Sequence, residues 1–277
     1  MTDYLRPRSI EEAAEMIAAH PDYMKLAGAT DLMVDAKHKR VPVGIVDLWR
    51  VPGMTGIAET ERGVTIRAGT TWLDVQRDPA IVAHWAPLAN AAREIGALQI
   101  QARATLGGNV GTSSPVGDSL PALLALDAEL ELASVRGLRR VPYREFCVGY
   151  RKTALAADEL IVAAHLPSPS KHAQLAWRKV GTRRAQSISK VMGAAAIEVI
   201  DGTVASARVA LGAIADRPIR IAAVEAAVVG LRPHAAAEAA RTALRAAIAP
   251  IDDIRSTSAY RRQVAENLVA RFFSDLT

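Results

Sequence analysis

The sequence predicts a mixed chain of the α+β class, and three observations carry that reading. Segments with apolar residues at helical spacing are interleaved with short alternating or continuous apolar runs from end to end. Two breaks, Pro52-Gly53 and Pro167-Ser168-Pro169-Ser170, divide the 277 residues into units 1–55, 56–168 and 169–277. Between them lies one long stretch of small residues, Thr105 to Asp118, which has four glycines and reads as neither helix nor strand.

Ser9-Ile10-Glu11-Glu12 reads as a capping box, followed by Ile10, Ala13, Ala14, Ile17 and Ala18 at helical spacing up to His20-Pro21. Met24 to Ala27 is a short strand, Gly28-Ala29-Thr30-Asp31 a sharp turn, and Leu32 to about His38 a second helix. A strand, a glycine turn and a helix start form a geometry that binds phosphate. Gly44 to Leu48 is a strand before the first break.

In the second unit, Gly63 to Gly69 reads as a strand and Thr71-Trp72-Leu73-Asp74 as a capping box. Residues 79–95 read as one apolar-periodic helix through Ile81, Val82, Trp85, Leu88, Ala92 and Ile95. In the glycine stretch, Gly107-Gly108-Asn109 can turn successive N–H groups toward one anion, with hydroxyls from Thr105, Thr112, Ser113 and Ser114 beside them. A plain surface turn is the alternative. Asp118 is placed to cap the helix that starts at Ser119-Leu120-Pro121. Glu129 to Ala133 alternates as a half-buried strand, residues 137–155 form an arm of strand and loop, and Glu159 to Leu166 is a strand. The last unit opens with strands at Gln174–Val180, Ala194–Ile200 and Val204–Ala213, the last two joined by an Asp201-Gly202 hairpin. Helices near 219–229, 234–248 and 257–273 follow. The basic, hydroxyl-rich segment Arg178 to Val191 lies between two of the strands and is a candidate site lining.

Composition removes several function classes. Hydrophobic residues make up 50% and charged residues 23%, as in a globular chain. No apolar run reaches the ~20 residues of a membrane span, and the N-terminus has no apolar signal core, so the expectation is a cytoplasmic protein without a membrane role. The net charge of +5 is dispersed. The short clusters Lys37–Arg40, Arg139-Arg140, Arg151-Lys152 and Arg183-Arg184 lack the aromatic interleaving of a nucleic-acid surface. They read as solvated surface, or as contacts to a cofactor phosphate or an acidic partner. The single cysteine, Cys147, sits in an apolar stretch as a core residue; one thiol cannot carry an iron–sulfur cluster. The histidines show no metal-ligand spacing, so no protein-bound metal is expected. Neither a G-x-G-x-x-G, a P-loop nor a G-x-S-x-G elbow is present.

Leu26-Ala27-Gly28-Ala29-Thr30-Asp31-Leu32 resembles the Ala-Gly-Gly-Thr-Asp-Leu turn of the FAD-binding medium subunits in the xanthine dehydrogenase and carbon monoxide dehydrogenase family, the molybdenum hydroxylases. Thr105-Leu106-Gly107-Gly108-Asn109, continued through Ser114-Pro115 and Asp118, is similar to that family's second flavin loop. Phe146, Gly149-Tyr150-Arg151-Lys152-Thr153-Ala154-Leu155 and Arg178 to Val191 match in order and spacing, the last leaning toward xanthine dehydrogenase-like members.

The resemblance implies a two-lobed PCMH-type FAD-binding domain, with lobes 1–55 and 56–168. It also implies a C-terminal flavoprotein domain, 169–277, with a three-stranded sheet and three helices. By position, Lys25, Leu26, Ala27, Gly28, Ala29, Thr30, Asp31 and Leu32 would wrap the diphosphate. Ala104, Thr105, Gly107, Gly108, Asn109 and Thr112 would form the opposing wall, Asp118 would hydrogen-bond the cofactor, and Ile161 and Lys179 would touch its flavin end. FAD would be held non-covalently, since neither motif contains Cys or His. The implied role is electron transfer, from an iron–sulfur small subunit that serves a molybdenum-cofactor large subunit, through FAD, to NAD+ or another acceptor. The [2Fe-2S] clusters and the molybdenum cofactor would belong to those partners, in a dimer of heterotrimers, and no residue of this chain would act on the hydroxylated substrate. A stand-alone flavin reductase of the same superfamily, a flavin-storing or regulatory subunit, and a non-catalytic interaction protein are the alternatives. Two departures from the family pattern stand out: Ala29 replaces a glycine, and Gln101-Ala102 replaces Arg-Asn, with a lost contact near the flavin or at a subunit interface as the expected result.

Overall fold

Apolar strands and helices of both predicted periods pack into three larger sheets, a two-stranded ribbon and their covering helices in a computed structural model, which describes residues 2–35, 42–183 and 186–276. The predicted continuation of the second helix to His38, the Lys37–Arg40 cluster, and Arg184 with Ala185 of the 178–191 segment lie outside the described residues.

The first unit is β1 (Asp3–Leu5), α1 (Ile10–Ala19), β2 (Met24–Leu26), α2 (Leu32–Asp35) and β3 (Gly44–Asp47). Its sheet has the order β1-β3-β2 and is parallel. β1 is three residues long, too short to register as a periodic signal in the sequence. Ser9 caps α1 as expected, its Oγ accepting from the Glu12 N–H at 3.1 Å. The reciprocal half of the box does not form, because the Glu12 carboxylate accepts from the Arg8 N–H at 2.6 Å instead.

The second unit contains β4 (Ile57–Thr60), β5 (Gly63–Arg67), α3 (Trp72–Arg77), α4 (Pro79–His84), α5 (Ala86–Glu94), α6 (Leu98–Gln101), α7 (Leu106–Thr112), α8 (Leu120–Ala125), β6 (Glu129–Ser134), β7 (Gly137–Pro142), α9 (Tyr143–Phe146), β8 (Cys147–Gly149), β9 (Lys152–Thr153) and β10 (Leu160–Pro167). The main sheet runs β4-β5-β10-β6-β7, antiparallel throughout. Both halves of the Thr71 capping box form. The single helix predicted for 79–95 is two helices broken at Trp85, whose ψ is 43°. Pro87 explains the break: it has no N–H to give, and its ring would meet the carbonyl of residue 83 in a continuous helix. Trp85 is buried there and donates from Nε1 to the Pro167 carbonyl at 3.0 Å. Cys147 is a core residue, as expected, accepting from Ser113 Oγ and donating to the Tyr143 hydroxyl.

The third unit is β11 (Ala173–Val180), β12 (Val191–Ile200), β13 (Thr203–Gly212), β14 (Ile219–Arg220), α10 (Ala222–Val228), α11 (Pro233–Ala247) and α12 (Ser258–Ser274). The three expected strands are extended by β14, a two-residue edge strand at the start of the stretch predicted as helix. The hairpin turn has φ of 51° at Asp201 and 72° at Gly202, the two left-handed residues that a tight I′ turn requires. One hydrophobic core runs through the first two units and reaches Trp177, Ala194 and Ala210; a second lies between the last sheet and its helices. No helix among the described residues is long and apolar enough to cross a membrane.

Glu159, the residue before β10, is almost fully buried. It takes two bonds from Arg139, at 2.6 and 2.7 Å, and one from the Ala156 N–H at 2.9 Å. The Arg139 guanidinium holds its carboxyl below the ordinary range, against the opposing effect of burial. A depressed carboxyl adds stability above its unfolded-state titration, near pH ~4.3, and that stability is lost as pH falls through the folded value. Glu159→Gln is therefore expected to cost about 1–3 kcal/mol at pH 7 and clearly less at pH 3, measured by denaturant unfolding at both.

Candidate functional site

A cleft of about 600 Å³ separates the turn after β2 from α7 and the segment that follows it. Of the residues assigned to the cofactor from the sequence, only Leu26 and Lys179 are not in its wall; Ser113 and the other described residues of the Arg178 to Val191 segment, expected to line a site, are not in it either. Leu48, Met54, Ile95 and Ile100 are wall residues that sequence reasoning did not assign, and Leu155 and Arg151 are wall residues from the Gly149–Leu155 segment that it singled out without giving them a definite role. The apolar ones come from five separate places in the chain, and no local pattern marks them.

The two glycine segments meet at Gly28. A Cβ there would lie 1.9 Å from the Arg103 carbonyl oxygen and 3.1 Å from Ala104 Cα, so only glycine lets the two backbones touch. The next residue, Ala29, has φ +63°. Its carbonyl accepts from the Met33 N–H at 2.9 Å and starts α2. The N–H groups of Gly28, Ala29, Thr30 and Asp31 donate to nothing among the described residues. A left-handed residue in such a turn is the conformation that gathers successive N–H groups around an anion.

The departure at Ala29 therefore has a definite consequence. The left-handed region costs an L-residue ~1–2 kcal/mol, partly offset by the extra unfolded-state freedom of glycine. Ala29→Gly is expected to raise stability by about 0.5–1 kcal/mol, read as a higher Tm.

The second glycine segment departs from expectation. Leu106–Thr112 is a helix, and its first N–H groups are committed. Leu106 donates to the Thr70 carbonyl at 3.0 Å, Gly107 to the Ala68 carbonyl at 2.7 Å, Gly108 to Thr105 Oγ1 at 3.0 Å and Asn109 to the Thr105 carbonyl at 3.0 Å. Thr105 is thus a helix cap, and Gly107-Gly108-Asn109 is not an anion nest. Gly107 serves close packing instead: a Cβ there would lie 2.7 Å from Ala68 Cβ. The Asn109 side chain is held by Ser119 Oγ, which donates to Oδ1 at 2.6 Å, and Thr112 Oγ1 reaches Asp31 at 3.5 Å.

Asp118 does not cap α8; Ser119 occupies that position without a side-chain capping bond. The Asp118 carboxylate instead accepts from Lys179 Nζ and from Ser189 Oγ, each at 2.6 Å, while its carbonyl accepts from Trp177 Nε1 at 3.1 Å. Burial pushes the Asp118 carboxyl up; Lys179 and Ser189 pull it back. Lys179 is 3% exposed, donates also to the Glu94 carbonyl, and stands behind Asp118 rather than in the wall. Ile161, expected near one end, is buried in the wall. Lys25, also in the wall, is half-buried; burial lowers its pKa against the pull of Asp158 and Glu159, and its ammonium donates to the Ala157 carbonyl at 2.6 Å. Gln101, the other departure, is buried and satisfied within the chain, accepting from Gln76 Nε2 and donating to the Arg93 carbonyl.

Residues 1–169 match the family model described as the FAD binding domain in molybdopterin dehydrogenase, and residues 176–276 match the carbon monoxide dehydrogenase flavoprotein C-terminal domain. The chain is 34% identical over 220 residues to the xanthine dehydrogenase FAD-binding subunit of Escherichia coli O157:H7, covering 78% of this chain and 75% of that one. It is 28% identical over 282 residues to the nicotinate dehydrogenase FAD-subunit of Eubacterium barkeri, covering 99% and 95%. Its structure is similar to a chain of carbon monoxide dehydrogenase from Hydrogenophaga pseudoflava, with a TM-score of 0.93 and 29% identity over 98% of this chain and 95% of that one. Sequence and fold agree along almost the whole length, and the chain belongs to the FAD-binding medium subunits of the molybdopterin dehydrogenases.

Proposed function

We propose that this chain binds FAD non-covalently in the cleft described above and works as the electron-transfer subunit of a molybdenum hydroxylase. The observation that carries the proposal is the Gly28–Asp31 turn, with four N–H groups uncommitted among the described residues and a left-handed residue, in a cleft whose wall also carries a set of apolar side chains. That donor set fits a diphosphate. The apolar walls at Leu48, Met54, Ile95, Ile100, Leu155 and Ile161 fit flat ring systems, and Asp118 offers a fixed acceptor for a ring N–H or a hydroxyl. Gly107 and Thr105 shape the opposing wall by close packing rather than by donating N–H groups.

FAD, when bound, supplies the redox chemistry, taking electrons from an iron–sulfur partner and passing them to NAD+ or another acceptor. The chain's own part is to bind, orient and shield the cofactor. The working assembly is a heterotrimer with an iron–sulfur small subunit and a molybdenum-cofactor large subunit, paired into a dimer of heterotrimers in the cytoplasm. Residues 1–55 and 56–168 serve as the two FAD-binding lobes and 169–277 as the lobe that braces Asp118. The test is the absorption spectrum of the purified chain followed by heat release of the chromophore. Flavin bands and FAD at about one per chain are expected. A protein that stays colourless after incubation with FAD sinks the proposal.

A further inference from the structure

Arg151, one of a basic pair in the Gly149–Leu155 segment, is left by the sequence between solvated surface and contact with a cofactor phosphate or an acidic partner. It lies in the turn between β8 and β9 with φ +50°, a left-handed conformation that costs an arginine stability and collects at ligand sites. It is in the cleft wall, and its guanidinium is 3.6 Å from the Asp31 carboxylate, the same carboxylate that Thr112 reaches. Asp31 belongs to the turn with the uncommitted N–H groups. So the geometry brings a cation from the β8–β9 hairpin to the anion-binding turn of the first sheet.

The charged residues of the wall are Lys25, Asp31, Asp118 and Arg151. Lys25 is drawn onto the Ala157 carbonyl, toward Asp158 and Glu159, and Asp118 is matched by Lys179. Arg151 is matched only loosely among the described residues: the pair with Asp31 is long, and the two side chains are 39% and 46% exposed. Such a pair is screened by water and weakly held. A guanidinium facing phosphate oxygens gains a two-pronged, charge-assisted contact instead. Backbone N–H groups carry only partial charge, so a full cation beside a dianionic diphosphate in this turn would strengthen its binding.

We propose that Arg151 is the side-chain cation that binds the diphosphate of the cofactor, with Asp31 as its positioning residue. This rests on the FAD reading above and adds a binding residue to it. The test is titration of the FAD-free full chain with FAD and, separately, with riboflavin, which has the same ring and no phosphate, read by quenching of flavin fluorescence. Arg151→Met is expected to weaken FAD by roughly 10–100-fold, to flatten the salt dependence of FAD binding, and to leave riboflavin binding unchanged. Arg151→Lys keeps the charge without the fork and recovers part of the loss. Arg151→Gly deletes the guanidinium while relieving the backbone, so it is expected to be no less stable than wild type yet still weak toward FAD. Equal weakening of FAD and riboflavin, or FAD affinity that survives in the Met and Gly variants, overturns this inference alone. A wild-type chain that binds neither ligand overturns the FAD reading and this inference with it.

Discussion

Gly28→Ala is expected to destabilise the protein by about 3 kcal/mol and to abolish tight FAD binding. The new methyl would sit 1.9 Å from a backbone oxygen, that of Arg103, and no side-chain rotation can relieve such a contact. Either the turn after β2 or the backbone ahead of α7 must shift, and both form the cleft wall. The control is Gly111→Ala on α7. A Cβ there meets nothing closer than Ile161 Cδ1 at 3.8 Å, and the helix gains from losing a glycine, so about 0.5–1 kcal/mol of added stability is expected. Thermal unfolding of both variants without FAD reads the difference in stability, and FAD binding is read on the Gly28 variant against wild type, because Gly111 also lines the cleft. Equal stability for the two would show that the backbones can separate at Gly28 without consequence.

The two glycine segments, the Gly28 turn and Thr105 to Asn109, show what is legible in the sequence. Turn chemistry is local, so the Gly28 turn, the Thr71 capping box and the Asp201-Gly202 hairpin could be placed from a few residues each. Whether N–H groups are free is not local. The Thr105-Leu106-Gly107-Gly108-Asn109 segment has the composition of an anion nest, yet its N–H groups are taken by carbonyls of Ala68 and Thr70 some forty residues earlier, and by Thr105 itself. Asp118 failed as a helix cap for the same kind of reason. Its partners, Lys179 and Ser189, are supplied by another lobe and lie more than sixty residues on. Arg151 is visible as one member of a basic pair in a family-matching segment, with surface and cofactor-phosphate roles both open, because its approach to Asp31 depends on a left-handed turn that its own sequence does not require. The apolar wall of the cleft is the least legible part. Leu48, Ile95 and Leu155 look like any other core residues until the lobes are assembled.

Lys179→Met carries the other large expected effect, about 3–5 kcal/mol of lost stability at pH 7. The ion pair is buried, with side chains 3% and 11% exposed, and deleting the lysine leaves the Asp118 carboxylate supported by the Ser189 hydroxyl alone. An unpaired buried carboxylate titrates at higher pH than a paired one. Burial already pushes Asp118 up, so removing Lys179 pushes it further in the same direction. A carboxyl whose folded pKa is raised favours the folded state while it is protonated, and that support is lost as pH rises through the folded value. The variant should therefore recover stability relative to wild type as pH is lowered from 8 to 5, which denaturant unfolding across that range can read. Lys179→Met/Asp118→Asn removes both charges and should restore much of the loss at pH 7. A pH-independent deficit, or a double variant no better than the single one, would mean that Lys179 matters for packing rather than for Asp118. The effect should also reach the cleft without any lost contact to its contents. Lys179 is not in the wall, but it, Ser189 and Trp177 hold the 113–118 segment from the C-terminal lobe, aided by the Ala213 N–H that donates to the Pro115 carbonyl at 2.8 Å. FAD affinity should then fall with the single variant by a pH-dependent factor. That outcome would separate a residue that positions Asp118 from one that touches the cofactor.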